Sequence, residues 1–261
     1  MNIELISHTL FVFFMSSARM LAMFMMLPFL SKQSLGNAMI RNGVVASFSL
    51  ITYPLVEHGL DTQALDGLHL LLIIVKEVGI GLAMGFVLVM PFWAIESVGF
   101  FIDNQRGATM ASALNPLSGS QTSPLGILLT QSLVTLFFIS GSFLLMLYVL
   151  YKSYAVWPVF AFFPSLSLDG PGFFLAQLDT LMRLTVLLGA PVVIVMFLTE
   201  FGLALISRFA PQLNVFILAM PLKSAVGLAL LCVYAGFVIR YFSELLADID
   251  GLLQPLFNLL S

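Results

Sequence analysis

Long apolar runs, separated by short polar connections, dominate this chain. A membrane-crossing helix needs about 20 mostly apolar residues. Six stretches approach that length: 10–30, 35–56, 68–95, 125–151, 184–206 and 215–239. The first carries Arg19 near its middle, and the second is interrupted by Arg41 and Asn42. The third carries the adjacent pair Lys76 and Glu77, the fifth Glu200 and the sixth Lys223. The fourth has no charge and reads as the cleanest span. A shorter run over 155–163, ending at Pro164, reads as interfacial or re-entrant.

Helix is the expected conformation throughout. Lipid offers backbone groups no water, so only helices or closed barrels cross it. Barrel strands would alternate apolar and polar residues, and these runs are continuously apolar.

The short polar segment 31–36 predicts a hairpin between the first two spans. The longest polar insertion is 96–124, with a loop read over 101–124. Asp169, Gly170, Pro171 and Gly172 form a strong turn signal within 152–183. From Tyr241 the tail reads as an amphipathic helix with Glu244, Asp248 and Asp250 near one face, broken at Gly251 and Pro255.

Composition agrees with this pattern. Of 261 residues, 60% are hydrophobic and 9% charged, against roughly 25% charged in soluble domains. A soluble globule and a disordered chain are both excluded. The net charge of −3 excludes a basic nucleic-acid surface. No Lys or Arg precedes Arg19, so the basic start of a cleavable signal is missing and the first run is expected to stay as a membrane helix. Lys32, Arg41, Arg106 and Arg208 lie toward one side, and the positive-inside rule then puts both termini outside.

Candidate chemistry is sparse. His8, His58 and His69 make no metal-ligand pattern, and Cys232 reads as an inert packing thiol. No cofactor is expected. Five methionines in the first span read as packing or as an adaptable seal. Gly81 and Gly85 have small-xxx-small spacing and predict close helix packing. Arg19, Lys76, Glu77, Glu96, Glu200 and Lys223 lie in or beside apolar helices, where a charge costs about 2.5–3.5 kcal/mol on insertion scales. They line a conduit or relay, or they pair helices. Glu200 and Lys223 are a candidate pair across a short loop. Lys76 and Glu77 point about 100° apart on a helix, so each is expected to need a different partner.

The central polar stretch is the most unusual. Asp103, Asn104, Gln105, Arg106, Gly107, Ala108, Thr109, Met110, Ala111, Ser112, Asn115, Pro116 and Gly119 are small or hydrogen-bonding residues between apolar helices. The stretch is either a solvated loop or a segment folded into a cavity beside protein or water.

Four blocks carry a family resemblance: LPFLSKQSLGNAMIRNG (27–43), PFWAIESVGFFIDNQRGATMASALNP (91–116), SQTSPLGILLTQ (120–131) and EFGLALISRFAPQLNVFILAMPLKS (200–224). They resemble the inner-membrane export-apparatus protein of bacterial type III secretion systems, the SctT family, related to FliR of flagella. The match is closer to the virulence-type branch (YscT and SpaR) than to the flagellar one.

The resemblance implies an all-α integral membrane protein of helical hairpins and kinked helices, packed in a hetero-oligomeric export gate. One membrane-embedded unit over 1–261 is implied, with a part like an R subunit over roughly 1–165 and a part like an S subunit over roughly 166–261. It implies assembly, one copy of this chain, with the R and S components, contact with the U component, unfolded secreted polypeptides as cargo, and no enzymatic activity. The loop after the third helix, roughly 105–122, is implied to be the plug of the closed channel. Arg106 is expected to hold that loop on a carboxylate such as Asp103 or Glu96, or on an acid of a neighbouring subunit. The alternative is a proton- or solute-coupled secondary transporter with Lys76, Glu77 and Glu200 as relay groups. An intramembrane enzyme would need a nucleophile–base or metal set that the chain does not display.

Overall fold

The computed structural model describes residues 3–30, 37–58, 67–108, 123–161, 170–210, 212 and 215–260. Among them there is no strand. The helices are α1 (Ile3–Met26), α2 (Ala38–His58), α3 (Gly67–Arg106), α4 (Pro124–Ile139), α5 (Ser142–Val156), α6 (Gly170–Phe209), α7 (Val215–Ala247) and α8 (Ile249–Leu260), with a 3-10 turn at Pro28–Leu30. Five are long and apolar enough to cross a membrane, and a sixth crossing follows if α4 and α5 count as one. This is a multi-pass helical membrane protein.

The fourth apolar run is not a straight span. It bends by 72° between α4 and α5. Gly141 sits at φ +79, a left-handed conformation that breaks the helix and that only a residue without Cβ adopts freely. Hydropathy is blind to this, because Ser140 and Gly141 interrupt the run without adding charge.

Three further boundaries differ from expectation. Helix α3 continues through Asp103–Arg106, so the polar residues read as the start of a loop form its last turn. Helix α6 begins at Gly170, so the Gly-Pro-Gly read as a turn opens a helix; proline in the first turn forgoes a hydrogen bond that helix starts lack anyway. The tail helix α8 runs through Gly251 and Pro255 without a break. The break lies at Asp248, whose side chain caps α8 by accepting from Gly251 N at 3.0 Å.

The chain divides into two compact units. The first comprises Met1–Met90, Gly141–Leu175 and Asp248–Ser261. Its core has helical period: Val12, Met15, Arg19 and Met23 on α1, with Ile73, Lys76, Glu77, Ile80 and Met84 on α3, are all buried. Met25 is exposed, so the α1 methionines divide between core and surface. A Cβ at Gly81 would run into the backbone carbonyl of Arg19 and lie 2.9 Å from Ala22 Cβ, and one at Gly85 would lie 3.0 Å from Met23 O. The glycine spacing therefore lets α3 lie directly on the α1 backbone. On α5, Phe143 meets Phe29 and Phe48, and Phe48 meets Phe24 edge-on. Trp157 packs on Phe257 of α8 at 5.0 Å.

The second unit comprises Pro91–Ser140 and Ala176–Ala247. Here α3 meets α4 backbone to backbone. A Cβ at Gly99 would clash with Gly126, and one at Gly126 would lie 3.1 Å from Glu96 O. Further along the same two helices the buried Phe92 and Phe137 rings pack edge-on at 5.6 Å. Cys232 is exposed on α7, not packed within the chain as expected.

Candidate functional site

Two buried polar clusters stand out, one in each unit. In the second unit, the Gly99–Gly126 contact brings the end of α3 against the start of α4. Asp103 lies one turn past Gly99 on the same face and is fully buried. Its Oδ2 accepts from Ser123 Oγ at 2.6 Å and from Leu125 N at 3.0 Å. Its Oδ1 accepts from Arg106 Nε at 2.7 Å. Ser123 is the N-cap of α4, its hydroxyl accepting from Gly126 N at 2.9 Å, with Pro124 in the first turn.

A carboxylate fits this place for two reasons. The first turn of α4 presents unpaired N–H groups and the positive end of its dipole. Arg106 adds a full charge, and hydrogen bonds to ionised groups are the strong ones. The backbone of Asp103 acts too, its carbonyl accepting from Ala108 N at 3.0 Å. Gly107, at φ +80, ends α3 in the left-handed conformation. One residue thus ties the end of α3 to the start of α4, at the two stems of the segment between them. Asn104 is exposed, and Gln105, Gly107 and Ala108 are half-buried. Thr109, Met110, Ala111, Ser112, Asn115, Pro116 and Gly119 lie outside the described residues.

In the first unit, Arg19, Lys76 and Glu77 come together. The fully buried Arg19 guanidinium donates from Nε to Glu77 Oε2 at 2.8 Å and from Nη2 to Glu77 Oε1 at 3.0 Å, a bidentate pair. It also donates to Ser153 Oγ at 3.0 Å and Trp157 O at 2.8 Å, and lies 4.3 Å from the centre of the Tyr154 ring. Tyr154 in turn donates to Ser16 O at 2.6 Å.

Contrary to expectation, Lys76 and Glu77 do pair, with Nζ 3.1 Å from Oε1. The 100° offset holds for Cβ directions, but a four-carbon stem reaches around it once Arg19 fixes the carboxylate. Lys76 Nζ also donates to Pro158 O at 3.0 Å, Val159 O at 2.6 Å and Ala161 O at 2.9 Å. The run read as interfacial or re-entrant is, over its described part, a turn whose carbonyls surround this ammonium.

Of the remaining charges, Lys223 Nζ donates to Glu200 Oε2 at 3.1 Å, with Glu200 about half exposed. Glu96 is exposed, and the pair of Arg106 is with Asp103. Among the described residues no group of three or more His, Cys, Asp or Glu is placed to hold a metal ion.

Several participants escaped the sequence reading. Ser123 was recoverable, since Ser followed by Pro is a helix-start signal. Ser153 and Tyr154 were not, because nothing in sequence spacing brings them to Arg19, nor were the 157–161 carbonyls, because backbone acceptors carry no residue signature.

Comparison with known proteins gives the family of the chain. A family model described as bacterial export proteins, family 1, matches residues 10–249. The chain is 49% identical over 255 residues to Yop proteins translocation protein T of Yersinia pestis, covering 97% of each chain. It is 35% identical over 229 residues to the secretion system apparatus protein SsaT of Salmonella typhimurium, covering 86% of each. With the flagellar biosynthetic protein FliR of Bacillus subtilis it shares 31% identity over 175 residues, 66% of this chain and 67% of that one. This multi-pass helical chain, with one buried carboxylate joining α3 to α4, belongs to the bacterial export proteins, family 1, alongside the SctT-type secretion proteins and FliR.

Proposed function

We propose that this chain is a structural and gating subunit of a type III secretion export gate in the bacterial inner membrane, passing unfolded polypeptides and catalysing no reaction. One copy assembles with R and S components and contacts the U component, its roughly 1–165 part resembling an R subunit in fold and its roughly 166–261 part an S subunit. The segment after α3 acts as the plug. The observation that carries this reading is Asp103. A single carboxylate holding both stems of a small, polar segment is what a stopper needs: a fixed base, and a body with little apolar surface to hold it in place. The printed names of the relatives, a translocation protein, a secretion apparatus protein and a flagellar biosynthetic protein, point to the same machinery.

The length of α6 supports assembly. Its exposed apolar residues run from Leu178 through Val186, Ile194 and Phe201 to Phe209. At about 1.5 Å per residue this is about 47 Å of helix. A hydrocarbon core about 30 Å thick takes in about 39 Å of a helix tilted by about 40°, the upper end of the ordinary range. The hydrocarbon core alone does not cover the stripe, so its ends reach the interfacial layers or are covered by sister subunits.

The transporter reading has less support. Both oxygens of Glu77 are occupied by cations, which leaves the half-exposed Glu200, itself paired with Lys223, as the one relay carboxylate of that reading open to water.

The test is cross-linking. A photoreactive residue at Gln105 or Ala108, in a complex holding a stalled export substrate, is expected to attach to that substrate. The same probe at Val233, on the exposed face of α7, is expected not to. Labelling at neither plug-side position, in complexes shown to hold the substrate, contradicts the gate reading.

A further inference from the structure

The surroundings of Lys76 gather oxygen acceptors around one buried ammonium. Its Nζ has four acceptors: the carbonyl oxygens of Pro158, Val159 and Ala161 at 2.6–3.0 Å, and Glu77 Oε1 at 3.1 Å. The side chain is 5% exposed and its carboxylate partner 0%. Rings of carbonyl oxygens replace the hydration shell of a monovalent cation in selective pores. The distances are wider than the roughly 2.0–2.1 Å that magnesium requires, and all but the shortest exceed the roughly 2.3–2.6 Å range of calcium. Nearly all suit an ammonium or a potassium ion.

We propose that the 158–161 carbonyls and Glu77 form a monovalent-cation site that the chain fills with its own Lys76 ammonium. A tethered ammonium occupies the site at any salt concentration. It therefore holds the turn after α5 against α3 independently of the ions around the cell membrane. Three features make this more than a salt bridge. Most of the acceptors are uncharged carbonyls from one turn, which its own hydrogen bond from Ala161 N to Pro158 O at 3.2 Å already closes, so the acceptors are pre-arranged. Glu77 is already satisfied by Arg19 through both oxygens, so Lys76 is not needed to neutralise it. A small cavity of about 30 Å³ also touches the same turn, lined by Leu55, Val56, Tyr154, Pro158, Val159 and Phe160. That is room for one water beside the turn. The inference concerns the first unit alone and does not depend on the gate reading.

The experiment is chemical rescue in the full-length chain. Lys76→Ala empties the site without filling it. Purified in choline salts, it is expected to unfold at lower temperature than the unaltered chain, and ammonium or potassium at matched ionic strength is expected to restore much of the loss. The unaltered chain is expected to respond equally to all three. Lys76→Met, which fills the space with an uncharged side chain, is expected to be destabilised and not rescued. An equal response of Lys76→Ala to choline, ammonium and potassium overturns the proposal. A second measurement needs no variant. With 15N-labelled lysine, of which the chain has four, the unaltered protein is expected to show an ammonium signal in slow exchange with water. Absence of any protected lysine ammonium overturns the proposal equally, and decides it if Lys76→Ala does not accumulate.

Discussion

Replacing Asp103 by Ala is expected to leave the chain inserted and assembled while opening the export complex to small ions. The substitution removes the acceptor for Ser123 Oγ, Leu125 N and Arg106 Nε at one stroke. Each buried donor left without a partner costs about 1–3 kcal/mol. That loss falls where the end of α3 meets the start of α4. The Gly99–Gly126 contact and the Phe92–Phe137 packing below it remain, so the helices stay paired while the stems between them loosen. Asp103→Asn keeps one carbonyl acceptor but loses the charge that Arg106 and the α4 dipole favour, and its leak should be intermediate. Ser123→Ala removes both the cap of α4 and the hydrogen bond to Asp103, and should cost about 2–3 kcal/mol. The readout is ion permeability of membranes in which the complex is shown to be assembled. Tight membranes with Asp103→Ala would separate the carboxylate from gating.

The second large effect concerns charge balance in the Arg19, Lys76 and Glu77 cluster. Two cations share one carboxylate, and all three side chains are buried. Removing one partner of a buried pair costs about 3–5 kcal/mol, because an uncompensated charge stays behind. Glu77→Ala leaves two such charges and consumes a large part of a typical stability of about 5–15 kcal/mol. The variant is expected to be nearly absent from membranes. Arg19→Met is expected to be milder, because Lys76 still neutralises Glu77. Quantifying each variant in isolated membranes, and its unfolding temperature after purification, tests the ranking. Equal loss for Arg19→Met and Glu77→Ala would mean that packing around the Arg19 guanidinium outweighs its charge.

How far the sequence could be read depended on the kind of signal. Apolar runs located the membrane helices, since an uninterrupted stretch leaves the backbone no other way to meet its hydrogen bonds in lipid. Helix ends were harder. Asp103–Arg106 look like a loop because they are polar, yet they close the last turn of α3, with Asp103 facing inward onto a helix start. The 72° bend at Gly141 was hidden in the chain's most apolar run, because a positive φ leaves no trace in hydropathy. The pairing of Lys223 with Glu200 follows from their places across a short connection, whereas Asp103 was one of three partners the sequence left open for Arg106. The Lys76 surroundings could not be foreseen, since they are built from carbonyl oxygens brought back from more than eighty residues away. The resemblance to export-apparatus proteins supplied what periodicity could not, namely a role for the polar segment after α3.

That role is tested most directly by the conductance of the assembled complex. With residues 109–115 deleted and the stems at Asp103 and Ser123 intact, the purified complex in a planar bilayer is expected to conduct small ions continuously, while the unaltered complex stays closed. A deleted complex that is fully assembled and as tight as the unaltered one would contradict the account.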